Sequence, residues 1–120
     1  MGAGALSLAL GGKHQTMMAR RIGDWLLQHP FDTYGQTMHA EDRFHYSAYY
    51  CSHAMAQLGG DHWRRFFPIV AKTLLGAQSA DGSWASEIGR DDAIYGPAYP
   101  TALSVLTLTP AYQMLPVYQR

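Results

Sequence analysis

An all-α fold is predicted for these 120 residues, on three observations. Long apolar runs end at glycine or just before proline, as helices do. Outside the last twenty residues, no segment shows the apolar–polar alternation of a β-hairpin. A long stretch also recurs without a gap at an offset of 48 residues. "LGGKHQTMMARRIGDWLL" (Leu10 to Leu27) lies over "LGGDHWRRFFPIVAKTLL" (Leu58 to Leu75), with Leu, Gly, Gly, His and the closing Leu-Leu identical. Met18 falls on Phe66 and Ile22 on Val70, so apolar positions correspond too. A third copy opens with Ala102 and Leu106, which match Ala54 and Leu58. About two and a half helix-hairpin units follow, over 1–47, 48–95 and 96–120 of a single domain 1–120.

The elements can be justified in order. "MGAGALSLALGG" is apolar, without the basic flank of a signal peptide and far short of a ~20-residue membrane span, so it reads as a core helix. Leu6 stands where myristoylation would want Ser or Thr. The second helix, about Gln15 to Gln28, stops at His29-Pro30. Residues Arg43 to Leu58 form the third, closed by Gly59-Gly60. Asp61 is then the expected N-cap of a fourth helix over His62 to Ala77, with Pro68 a kink or its true start. "TALSVLTLTPAYQMLPVYQR" reads as a last helix broken at Pro110 and Pro116, with a strand as the competing reading.

Composition narrows the function. Nine basic and nine acidic residues give zero formal charge, so nothing attracts nucleic acid electrostatically. Low net charge favours self-association. Cys51 is the only cysteine, which rules out an internal disulfide and a cysteine-rich zinc site.

"LLGAQSADGSW" carries the most specific signal. Leu74, Gln78, Gly82 and Trp84 have the spacing of the QW-type repeat, so the chain resembles the terpene cyclase and protein prenyltransferase superfamily. Thr73 stands where that motif has an aromatic residue. The roles of these residues follow from their chemistry. Gln78 can satisfy free backbone groups at a helix end and on the neighbouring helix. Asp81-Gly82 supplies a turn with positive φ at glycine. Trp84 then covers the helix end with its indole N–H bonded.

The resemblance implies an α/α toroid, and a complete ring needs about twice the helices available here, so the implied fold is a partial toroid. Its open flanks lead us to expect a homo-oligomer, or another chain covering the end helices.

The family's chemistry is not matched. Its acid motif is Asp-x-Asp-Asp, whereas "GRDD" lacks the first aspartate, and Asp91-Asp92 beside Arg90 reads as an exposed ion pair. Its zinc site has an aspartate two residues before the cysteine, where Tyr49 stands. No cofactor or catalytic residue is therefore expected. His39, Glu41 and His45 form a weak metal candidate; Glu41 and Asp42 fit better as helix-start acids. His14 and His62 are read as helix-start residues. His45, Tyr46, Tyr49, Tyr50 and His53 repeat along one helix, and with Tyr99 they form a candidate ligand groove. The expected function is a non-catalytic repeat module that binds a protein partner or an apolar, isoprenoid-like ligand. The alternative is a partial terpene cyclase or prenyltransferase-type enzyme completed by another chain.

Overall fold

Helix ends in this chain fall where the backbone loses donors or gains freedom. The computed structural model describes residues 2–13, 15–38, 43–87 and 94–112. Among these, all secondary structure is helical: α1 Gly2–Leu10, α2 Met17–Gln28, α3 Phe44–Leu58, α4 Gly60–Gly76 and α5 Ala98–Leu108. A 3-10 turn at Pro110–Tyr112 follows. The all-α class expected from sequence is thus found. α1 and α3 end on Leu10 and Leu58, and α2 and α4 on Gln28 and Gly76; both separations equal the offset of the sequence repeat.

Local chemistry accounts for these ends. Thr16 caps α2, its hydroxyl accepting from the Ala19 N–H at 3.3 Å. α2 stops at His29, ahead of Pro30. Gly59 alone joins α3 to α4 at φ 67°, a left-handed geometry suited to glycine. The expected Asp61 cap is not found. The helix has already begun at Gly60, and Asp61 sits in its first turn, paired with Arg64. α4 also continues through Pro68, which is exposed along with Arg64, so water can reach the carbonyl that proline leaves without a donor. α5 begins earlier than expected, at Ala98, because Pro100 lies in its first turn, where no helical N–H is required. Pro116 falls outside the described residues.

The helices stack in two layers. α3 packs between α1 and α5, and α2 packs beside α4 on the other side. Phe44, Ala48, Cys51 and Met55 of α3 meet Leu26, Phe31, Phe66, Val70, Leu74 and Trp84 in the main core. Charge divides the same way. α1, α3 and α5 contain no Asp, Glu, Lys or Arg, whereas α2 and α4 carry Arg20, Arg21, Asp24, Asp61, Arg64, Arg65 and Lys72. No helix among the described residues is long and apolar enough to cross a membrane.

The α2–α4 seam is tight at Gly23. A Cβ there would lie 2.7 Å from both His62 Cδ2 and Leu58 Cδ1. His62 is held in place by Asp24, Nε2 to Oδ1 at 2.8 Å. Gly23→Ala is therefore expected to cost ~1–3 kcal/mol in urea unfolding despite alanine's better helix propensity. His62→Ala should recover only part of that loss, because Leu58 Cδ1 crowds the same position. A stabilised single variant would show that the seam has slack.

Candidate functional site

Trp84 anchors the loop that follows α4. It is 2% exposed, and its Nε1–H donates to the Leu74 carbonyl at 2.7 Å, an acceptor at the helix end that it shares with the Ala77 N–H at 3.0 Å. Its backbone N–H donates to Thr101 Oγ1 at 3.0 Å, which ties the loop to α5. Gln78 is exposed and works locally: Nε2 donates to the Gly82 carbonyl at 2.9 Å. No bond from Gln78 to a neighbouring helix is found among the described residues; its Nε2–H closes the turn instead. Asp81 accepts from the Ser83 N–H and hydroxyl, which hold its carboxyl below the usual carboxylate range, and Gly82 sits at φ 85°.

The anchored loop delivers Glu87 into the core beside His45. Both side chains are nearly inaccessible, at 5% and 2%. Glu87 Oε1 lies 3.3 Å from His45 Nδ1 and also 3.3 Å from the His45 backbone N–H. The Tyr34 hydroxyl donates to the Ala85 carbonyl at 2.6 Å. Its oxygen therefore accepts from His45 Nε2 at 2.9 Å. With Nε2 protonated, a further proton must lie between Nδ1 and Oε1. Burial, and then the Glu87 charge, push the Tyr34 phenol up to about 12, so it keeps its proton at neutral pH. Tyr34 also borders a surface groove of about 760 Å³ between α4 and the loop after α2, with Asp32, Thr33, Lys72 and Thr73. The network clasps two loops to the start of α3.

The tyrosines collect elsewhere. Tyr46 and Tyr50 lie one turn apart, ring centres 4.5 Å apart, and Tyr49 meets Tyr50 edge-on at 4.9 Å. Tyr46 of α3 is 45% exposed and Tyr99 of α5 is 36% exposed. The hydrogen bond with Tyr46, burial, and the phenols of Tyr46, Tyr49 and Tyr99 together raise Tyr50 above the ordinary phenol range. Four phenols thus share one uncharged face.

The histidines of the expected groove are placed differently. His45 is turned into the Glu87 clasp. His53 is buried, with its Nε2 3.2 Å from the Leu106 carbonyl, and burial lowers its pKa against the effect of that bond. The neutral ring thus donates across the α3–α5 seam beside Ser52, whose hydroxyl donates to the Thr107 carbonyl at 2.7 Å. His62 is a first-turn residue of α4 as expected, and it also bridges to Asp24.

Among the described residues, no group of three or more His, Cys, Asp or Glu is arranged to hold a metal. His14, His39, Glu41, Asp91 and Asp92 lie outside the described residues. The sequence reading missed Tyr34 and Glu87. No spacing rule links positions so far apart, and each looked like an ordinary loop residue. In comparisons with family models, curated proteins and solved structures, none matches this chain.

Proposed function

We propose that this chain is a non-catalytic α/α repeat module of the toroid type, which binds an uncharged apolar ligand of isoprenoid character. The binding surface is the tyrosine face of α3 and α5. One observation carries this reading: the whole α1–α3–α5 layer lacks a formal charge, yet it gathers Tyr46, Tyr49, Tyr50 and Tyr99 at its surface. Apolar rings with hydroxyls at the rim suit a hydrocarbon chain bearing a hydroxyl or carbonyl. A diphosphate would find no cation on these helices.

Farnesol and farnesyl diphosphate are suitable probes, followed by NMR of the tyrosine rings. Farnesol is expected to shift the resonances of Tyr46, Tyr50 and Tyr99, and Tyr46→Ala to weaken it by about tenfold. The diphosphate should bind no more tightly. Unmoved phenols would overturn the proposal. A diphosphate preferred by about tenfold or more would favour the partial-enzyme alternative instead.

A further inference from the structure

α2 and α4 are unequally covered, and the inequality has a direction. In α2 the buried residues are Ala19, Gly23 and Leu26; in α4 they are Phe66, Val70 and Leu74. By the repeat, Phe66 and Val70 correspond to Met18 and Ile22, while Ala19 and Gly23 correspond to Phe67 and Ala71. The buried sides of the two helices therefore turn towards each other. Gly23 abuts His62, and Phe66 meets Phe31, just beyond α2, at 6.0 Å between ring centres. Each helix keeps part of its opposite flank open, at Met17 and Met18 on α2 and at Leu75 on α4, while Ile22, Trp25, Trp63 and Phe67 beside them are half-buried against the core.

Both open flanks are apolar. On α2, Met17 is 69% exposed and Met18 63%; with Arg21, Ile22 and Trp25 they line a groove of about 460 Å³. On α4, Trp63, Phe67, Ala71 and Leu75 follow one another every four residues along one stripe. Trp63 stacks on Phe67 at 4.4 Å, and Leu75 is 59% exposed, whereas its repeat equivalent Leu27 packs on the core. One flank is only partly covered compared with Phe66 and Val70: Ile22 meets the core, but Met18 stays exposed. The other lacks what the chain places over Ala19 and Gly23.

We propose that the occupant of each flank is a second copy of this chain, docked head to tail. The α4 stripe of one copy, centred on Leu75 and Phe67, sits on the Met18–Ile22 face of α2 in the next. Such a contact continues the α2–α4 packing across chains. Unbranched methionines can adapt to side chains larger than those of the internal seam. Zero formal net charge leaves little repulsion to oppose association. The contact is heterologous, because different surfaces meet, and that property makes it testable.

Sedimentation velocity across micromolar concentrations is expected to show the 120-residue chain gaining mass as concentration rises. Met18→Glu and Leu75→Glu, each at an exposed position, are each expected to weaken association by about tenfold or more. Every variant should keep the parent far-UV circular dichroism; Met17→Glu replaces Met18→Glu if the latter does not. The decisive sample is an equimolar mixture of the two charged variants. Each retains one intact flank, so the mixture should form a heterodimer and stop there. A parent chain that stays monomeric would overturn the proposal. So would either variant associating like the parent, or a mixture that does not pair.

Discussion

Trp84→Ala is expected to lower the free energy of unfolding by ~3–5 kcal/mol, the range for truncating a buried aromatic side chain. Two losses combine. The ring lies within the main core beside Phe44, Met55 and Leu74, so its removal leaves a cavity between α3 and α4. The Leu74 carbonyl also loses one of its two donors at the end of α4, keeping only the Ala77 N–H at 3.0 Å. Trp84→Phe separates these contributions: it keeps most of the ring and drops the N–H, and should cost ~1–2 kcal/mol. Urea unfolding followed by circular dichroism measures both. A loss below ~1 kcal/mol for the alanine variant would mean that the indole does not hold the helix end.

Glu87→Ala should be comparably damaging, at ~3–5 kcal/mol, because it leaves two buried polar groups of His45 without their partner, each at ~1–3 kcal/mol. His45 would keep its bond to Tyr34 but lose the carboxylate at Nδ1, and its backbone N–H would lose the same acceptor. Glu87→Gln retains shape and an acceptor, and should lose only ~1–2 kcal/mol. Because Trp84 positions the loop that carries Glu87, the two alanine substitutions should not be additive; the double variant should lose less than their sum. The same unfolding experiment decides. If Glu87→Ala behaves like a surface substitution, within ~0.5 kcal/mol, the clasp contributes nothing to stability.

The helical scaffold was legible because its punctuation is local. Gly59-Gly60 and His29-Pro30 stop helices through backbone geometry that any neighbour would leave intact. Asp61 misled for the same reason. An acid after two glycines is a reasonable cap, but Gly59 had already set the turn and left the side chain to pair with Arg64. Gln78 was placed at a helix end correctly, yet its reach was overestimated, since its Nε2–H closes the turn on the Gly82 carbonyl. The tyrosine face was visible as a four-residue rhythm, which a helix converts directly into a surface. Whether a rhythmic residue points inward or outward depends on its neighbours. His45 and His53 share the spacing of Tyr49 but are buried by Glu87 and by α5. The Glu87–His45–Tyr34 clasp joins three separate segments, and only the folded chain brings them together.

α3 packs against each of the other four helices, and that arrangement constrains how the chain can assemble. Its pairing with α4 needs only the closure at Gly59, so this hairpin is the cheapest contact to nucleate. Docking α1 and α5 onto α3 requires long loops to close first, at an entropic cost that later burial must offset. The folding nucleus should therefore lie at the α3–α4 turn, with the outlying helices condensing on it from either end of the chain.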